Sequence, residues 1–224
     1  MYYNYFKNIE NKYKKQLSKQ KPVVIRLDGR NVTKSGKYNF YSKNLFSAAL
    51  ESVGTYFVEH FHCIVYIAMD EISFIFENPD DFFAIYEDNN TLYCSNLFLL
   101  DFIKLFWTIC PNEKFGVTIF NIEKNKIESY IKYRKSLCYN CAIHYYAKHN
   151  IQKQYYVNKK LAEIVDYLKE NDLYKNIETK EEFLYGKLVT KSENKMGIKI
   201  KRNPEDNINN IECSKPISCK KIIS

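Results

Sequence analysis

The sequence lacks any run of about 18 uncharged apolar residues, which is the length that a membrane-spanning helix requires. It also lacks, near its N-terminus, the short apolar segment that marks a secretory signal peptide. Its seven cysteines follow no regular spacing, so we expect free thiols in a reducing compartment rather than a disulfide framework. Together these absences predict a cytoplasmic protein with no membrane contact.

Positive charge is in excess in this chain. Lysine and arginine number 34 against 26 acidic residues, for a net charge of +8. An anionic partner is therefore expected, and nucleic acid is the natural candidate because lysine and arginine bind its phosphates. With 224 residues, of which 46% are hydrophobic and 16% aromatic, the chain can form one large packed domain or a domain with an appended subdomain.

Two stretches with strand-like composition end in acidic residues. Residues 23–27 form a short apolar run that ends at Asp28, and residues 64–69 run into Asp70 and Glu71 before a second strand-like stretch at 72–76. If these strands are neighbours in one sheet, Asp28 and Asp70 converge and repel each other unless a divalent cation lies between them. Hard oxygen ligands of this kind suit Mg²⁺ with phosphate as a further ligand.

These stretches resemble the signature of the tRNA-His guanylyltransferase family, including its shorter relatives that repair tRNA 5′ ends. The family's Arg-hydrophobic-Asp-Gly-Arg motif is matched by residues 26–30 (RLDGR), and its Ser-Asp-Glu-Tyr-Ser-Phe hairpin is matched by residues 69–74 (MDEISF). The resemblance covers most of the chain and is most specific in the first third. It implies a polymerase-like palm domain that adds nucleotides in the 3′-to-5′ direction.

The order of the predicted elements agrees with an α+β, ferredoxin-like palm. Helices are expected at 45–59, 91–108 and 122–133, and a further strand at 115–120, which gives the order βαββαβ with helices on one face of an antiparallel sheet. Residues 2–21 are expected to form a basic amphipathic helix, with lysine and proline at 21–22 as its end. Trp107 is expected to lie in the core.

The character of the sequence changes near residue 137. We therefore divide the chain into a palm-like catalytic domain at 1–136, a C-terminal helical and hairpin subdomain at 137–203, and a flexible tail at 204–224. In the subdomain, helices are expected up to about residue 173, and a final hairpin from strands at 183–189 and 196–200. Cys138, Cys141 and His144 are not interpreted as a zinc site, because the segment is helical in pattern and has no clear fourth ligand.

The resemblance also implies a site and its ligands. Asp28, Asp70 and the main-chain carbonyl of Gly29 would hold two Mg²⁺ ions, with Glu71 positioning Asp70 or a bound water. The residues expected to contact the nucleoside triphosphate, GTP or ATP or both, are Gly29, Arg30, Lys43, Arg134 and Lys135. The partner would be the 5′ end of a tRNA or another RNA. Because members of the family often form tetramers, the resemblance also implies a homo-tetramer or dimer.

Several family positions differ in this chain. The serine before the second aspartate is Met69, a family histidine is replaced by Thr33, and the family's basic residues on the helix after the hairpin fall near Tyr93 and Asn96. The aspartate that follows the family's Trp-Arg-Gln is replaced by Leu137, and its His-Ile-Asn-Asn stretch reads YNCA at 139–142. The metal centre thus matches the family, while the parts that specify the substrate do not.

These departures favour a repair-type polymerase that acts on an already triphosphorylated 5′ end. Two alternatives stay open. One is a palm-type cyclase or oligonucleotide synthetase that makes a signalling nucleotide, since that chemistry needs the same carboxylates. The other is a non-catalytic RNA-binding relative that kept the fold.

Overall fold

The computed structural model describes residues 5–8, 16–87, 90–191 and, for the backbone alone, 198–201. Six strands, seven α-helices and a short helical stretch at residues 5–8 are defined in this part of the chain. The strands are β1 (Val23–Gly29), β2 (Ile64–Ala68), β3 (Glu71–Phe76), β4 (Phe115–Asn121), β5 (Lys187–Lys191) and β6 (Ile198–Lys201). The helices are α1 (Val32–Ser35), α2 (Leu45–Phe61), α3 (Pro79–Tyr86), α4 (Thr91–Phe106), α5 (Ile127–Asn150), α6 (Leu161–Glu170) and α7 (Glu181–Tyr185).

The six strands form one sheet in the order β4-β1-β3-β2-β5-β6. Every neighbouring pair is antiparallel. Strands β1 to β4 with the crossover helices α2 and α4 make the βαββαβ unit, and β1 lies between β3 and β4. The predicted α+β, ferredoxin-like architecture is confirmed.

Asparagine side chains define the start of three helices. Asn44 accepts a hydrogen bond from the N–H of Ser47 at the start of α2, and Asn78 does the same for Asp80 in α3. Asn90 accepts from two N–H groups in the first turn of α4. Because the first N–H groups of a helix have no partner within it, these caps set where each helix begins.

Both faces of the central strands are buried. Val23, Ile25 and Leu27 belong to the large core under α2 and α4, which is rich in phenylalanine. Val24 belongs to a second cluster with Phe120 and Tyr130 on the other face, where α5 lies. Since side chains alternate along a strand, Asp28 and Arg26 also lie on the α5 face.

The N-terminal region differs from its prediction. Residues 5–8 are helical, but residues 16–22 are not, so the predicted helix does not extend to residue 21. The reason is the Asn121 side chain, whose Oδ1 accepts from the Ser18 N–H at 2.6 Å and whose Nδ2 donates to the Lys21 carbonyl at 2.9 Å. These bonds hold the segment beside β4 in a conformation that is not helical. The rest of the predicted helix lies outside the described residues.

Three other elements also differ in detail. The helix expected at 122–133 begins at Ile127 and runs without a break to Asn150. The first strand of the final hairpin starts at Lys187, because the residues before it form α7, and its turn lies outside the described residues. Trp107 is 44% exposed rather than buried, since it ends α4 and its Nε1 donates to the Glu113 carbonyl at 2.9 Å.

The two parts of the chain that we separated at residue 136 share structure. Helix α5 passes through that position, and β5 pairs with β2 in the same sheet.

In the part of the chain that the structure describes, none of the helices combines the length and apolar character needed to cross a bilayer.

Candidate active site

The two predicted acids, Asp28 and Asp70, lie at the ends of neighbouring strands. Asp28, next to last in β1, lies directly opposite Glu71, the first residue of β3. Asp70 occupies the turn between β2 and β3, and its carbonyl accepts a hydrogen bond from the Gly29 N–H at 2.8 Å. On its other side, the Thr33 N–H donates to Asp70 Oδ2 at 3.4 Å. The prediction that these strands are neighbours is therefore confirmed.

Asp28 and Asp70, with the strand end and the turn that carry them, form what we call the acid corner. Its electrostatics disfavour two negative charges. Burial raises the pKa of Asp28 from 3.8 to about 6, with a further contribution from the Glu71 charge. Burial raises the pKa of Asp70 to about 7, and the Asp28 charge raises it further. Nearby arginines oppose the shift at Asp28 without cancelling it. The pair thus needs more positive charge than the described side chains supply.

Gly29 is required by packing. A Cβ at this position would lie 2.7 Å from Val32 Cγ2, 3.0 Å from Phe46 Cζ and 3.1 Å from the Asp70 carbonyl oxygen. Any larger residue would push the hairpin turn away from β1. The glycine therefore keeps the two acids together.

Glu71 takes part in a half-buried ion cluster. Its carboxylate accepts a short hydrogen bond from Arg134 Nη2, and its Oε2 lies 3.8 Å from Arg26 Nε. The other oxygen, Oε1, is buried and has no hydrogen-bond partner among the described residues. Arg134 projects from α5 with only 8% of its side chain exposed. We predicted that this residue contacts the nucleotide, but in the structure its guanidinium group binds Glu71. Lys135, the next residue of α5, is half-buried.

A groove of about 520 Å³ begins at Met69, the residue before Asp70. Its volume is within the usual range for small-molecule sites. Lys43, a predicted phosphate contact, is exposed on its wall, and Tyr41 lies beside it. The Lys180 Nζ donates to the Tyr41 carbonyl at 3.1 Å from the opposite wall.

Sequence reasoning did not identify the residues that α7 and β5 contribute to this groove. Lys187 is 9% exposed, and its Nζ lies 2.7 Å from Glu51 Oε1 and 3.7 Å from Glu182 Oε1. A signal was present, because a lysine inside an apolar strand is rarely buried without a paired acid. Glu182 is near Lys187 in the chain, but Glu51, whose carboxylate lies closer to the lysine, is far away along it.

Gly186 closes the groove against β2. It adopts a φ of +72°, and a Cβ there would lie 2.5 Å from both the Ile67 carbonyl oxygen and the Tyr66 hydroxyl oxygen. Tyr66 in turn donates to the Tyr185 carbonyl at 2.7 Å. This close approach carries Lys187 to the floor of the groove.

Arg30, the remaining predicted contact, is exposed beyond the end of β1. Its backbone N–H donates to the Lys114 carbonyl at 2.7 Å, and its guanidinium group covers Gly116 of β4. The structure therefore places it on the opposite side of β1 from the hairpin turn.

The donor set at the strand ends fits a divalent cation bound by few protein ligands. The carboxylates of Asp28 and Asp70 provide hard oxygen atoms. Their pKa values are raised, which shows that neighbouring side chains do not fully compensate their charge. Among the described residues, no group of three or more histidine, cysteine, aspartate or glutamate side chains is arranged to hold a metal. An ion here would thus rely on main-chain, water or phosphate oxygens for its other ligands.

The fold and the paired acids define a palm-type domain. A scan against family models matches residues 3–162 to tRNAHis guanylyltransferase. The chain belongs to this family of nucleotidyltransferases, as its motifs predict. No curated protein sequence matches it significantly.

Solved structures agree on the fold. A bacterial tRNA(His) guanylyltransferase-like protein in complex with GTP has a TM-score of 0.63 at 17% identity, covering 88% of this chain and 87% of its own. The complex of such a bacterial protein with ATP gives 0.62 at 18% identity, with coverages of 88% and 90%. The tRNA(His) guanylyltransferase of Saccharomyces cerevisiae gives 0.60 at 14% identity, with coverages of 92% and 100%.

Proposed function

We propose that this protein is a two-metal nucleotidyltransferase that adds nucleotides to an RNA 5′ end in the 3′-to-5′ direction. The observation that carries the proposal is the pair Asp28 and Asp70, held at adjoining strand ends beside a groove of nucleotide size. Membership of the family supports the reaction class. The structures of similar proteins with GTP and ATP support a nucleoside triphosphate as substrate.

Asp28, Asp70 and the Gly29 carbonyl are the groups we expect to hold Mg²⁺. When bound, Mg²⁺ would lower the pKa of the attacking hydroxyl and balance the charge of the triphosphate. The protein needs no nucleophilic side chain for this reaction. Its own contribution is to orient two carboxylates whose raised pKa values favour a bound cation.

Lysine side chains of the groove would bind the triphosphate. Lys43 and Lys180 both line the groove, which also includes Met69, the residue before Asp70. The Lys187 charge is balanced by Glu51 and Glu182, so we assign it to the shape of the groove floor. Arg30 and Lys135 remain weaker candidates for nucleotide contacts, and Arg134 acts through Glu71.

The acceptor we favour is an RNA, such as a tRNA, that already carries a 5′-triphosphate. In the family, basic residues on the helix after the hairpin help to activate the tRNA 5′ end. Here the corresponding part of α4 presents Leu92 and Tyr93, which are 68% and 51% exposed, and Asn96. An apolar surface of this kind gives no help to a second triphosphate. A cytoplasmic location and a tetramer or dimer are part of the same proposal.

Incubation of the purified protein with Mg²⁺, labelled nucleoside triphosphates and a tRNA transcript that lacks its first nucleotide tests the proposal. Transcripts with a 5′-triphosphate and a 5′-monophosphate are compared. We expect extension of the first and little of the second. Labelled small products without RNA would favour the cyclase or synthetase alternative, and RNA binding without incorporation would favour a non-catalytic relative.

A further inference from the structure

Residues 148–160, which we call the lysine segment, join the end of α5 to the start of α6. The segment contains four lysines and one histidine and no acidic residue. All four lysines, Lys148, Lys153, Lys159 and Lys160, are exposed.

The charge of the lysine segment is mostly uncompensated. Some exposed lysines elsewhere lie close to acids on their own helix turn, as Lys132 does to Glu128 at 2.9 Å. In the segment, Lys159 lies 3.8 Å from Glu163. Within the described part of the chain, Lys148, Lys153 and Lys160 form no ion pair. Free surface ammonium groups of this kind attract phosphates strongly.

An aromatic platform stands within the same segment. The ring of Tyr155 stacks on that of Tyr167 with 4.4 Å between centroids and 18° between planes, and Tyr155 stays 36% exposed. Gln152, Gln154 and Asn158 present exposed amides around it. Lysines interleaved with an exposed aromatic ring are typical of surfaces that bind single-stranded nucleic acid.

The lysine segment begins at the rim of the groove. Asn150 Nδ2 donates to the Tyr41 hydroxyl at 3.2 Å, and Tyr41 lines the groove beside Lys43. An RNA whose 5′ end reaches the acids would therefore have a basic surface beside its entry point.

We propose that the lysine segment binds the phosphate backbone of the acceptor RNA behind its 5′ end, with a base stacked on Tyr155. The choice of RNA as partner rests on the proposed function. An anionic membrane surface would also attract lysines, but it would not explain the stacked tyrosine or the connection to the groove.

Salt-dependent binding of a fluorescent tRNA transcript with a 5′-triphosphate tests this surface. The variant K153Q/K159Q/K160Q removes three charges from the segment. A matched control, K104Q/K132Q/K175Q, removes three charges from exposed lysines that lie beside Asp101, Glu128 and Asp172. Each lost phosphate contact reduces the slope of log K against log salt by about 0.7 to 0.9.

We expect the segment variant to reduce that slope by about 2 and to weaken RNA binding about tenfold near physiological salt. The control should leave the slope unchanged. Tyr155→Ala should weaken binding further than Tyr155→Phe, because only the first removes the stacking ring. Equal effects of the segment variant and the control, or no effect of either, would overturn the proposal, as would binding to anionic vesicles as strong as to RNA.

Nucleotide binding separates this inference from the proposed function. Binding of GTP or ATP, measured by calorimetry, should be the same in the segment variant and the wild type. If the wild type bound RNA through the segment but incorporated no nucleotide, the proposed catalysis would fail and the surface would stand. If it incorporated nucleotide and the segment variant bound RNA normally, the surface alone would fail.

Discussion

The acid corner and the groove are adjacent but are built in different ways. The corner comes from two strand ends, β1 and the β2–β3 turn, each of which is a local feature of sequence. The groove combines three segments, at 40–51, 67–69 and 179–187, that are separated by as much as half of the chain. The corner also matches the family's motifs, whereas the groove matches them only at Lys43.

From this difference we propose that the acids supply the chemistry and that the groove sets the substrate. Acids must meet a metal at short bond lengths, which leaves little freedom of position. A groove of about 520 Å³ can exchange one wall residue for another and still hold a ligand. The following tests, from the largest expected effect to the smallest, separate the two parts.

Loss of either acid should abolish catalysis while leaving the groove intact. Asp28→Asn and Asp70→Asn are each expected to lower the rate of nucleotide incorporation by about a thousandfold, because several kcal/mol of metal-dependent stabilisation is lost. Incorporation into a labelled transcript measures this. Asp166→Asn, at an exposed position of α6, is the control, and near wild-type turnover in either acid variant would refute the metal role.

The ion cluster behind the corner should matter mainly for folding. Glu71→Gln removes the carboxylate charge that lies beside Arg26 and Arg134, so we expect a loss of about 3 kcal/mol in the free energy of unfolding. Urea denaturation measures it. The double variant E71Q/R134M should lose less than the sum of the two single variants, and strictly additive losses would show that the pair does not interact.

Two glycines with positive φ but different ψ allow a test of the groove: Gly36 is left-handed helical, with a ψ of 6°, whereas Gly186 has a ψ of −172°, which only glycine adopts readily. Gly186→Ala forces a Cβ to within 2.5 Å of the Ile67 carbonyl oxygen, whereas at Gly36, with a φ of +65°, a Cβ meets nothing within 4 Å. Gly36→Ala should cost about 1 kcal/mol from backbone strain alone. Gly186→Ala should cost at least about 2 kcal/mol and weaken nucleotide binding. Equal costs in urea denaturation would contradict the close packing.

Lys43 should affect nucleotide affinity more than turnover. Removing one charged contact to phosphate by Lys43→Gln is expected to raise the KM for nucleoside triphosphate about tenfold, which corresponds to about 1.4 kcal/mol. Steady-state kinetics with varied nucleotide measure the change. Lys34→Gln, also exposed but on α1 outside the groove, should leave KM unchanged.

The strain between the acids should be visible as a small stability effect in metal-free protein. The pKa of Asp70 rises from 3.8 to about 7 in the folded state, so its contribution to stability is full below pH 3.8 and is lost as the pH rises through about 7. Above neutral pH, in the presence of a chelator, Asp70→Asn should therefore raise the melting temperature by about 3 °C. Thermal unfolding at acidic pH is the control, where the difference should vanish.

Much of the fold follows from local pattern. The alternation at 72–76 and the apolar run at 23–27 predict the central strands, and asparagine caps mark the helix starts, because both signals act over a few residues. The exception at 16–22 has a physical reason. The Asn121 side chain holds that segment out of a helix, and because Asn121 is about 100 residues away, the local sequence does not reveal this contact.

The sequence by itself determined that two acids would each follow a hydrophobic strand, since hydrophobic runs specify strands. Only the tertiary structure decided what surrounds them: the arginine that engages Glu71, the lysine at the floor of the groove, and the basic segment at its rim. Those contacts join α5, α7 and β5 to residues far away in the chain. Packing in three dimensions, rather than propensity along the chain, selects such partners.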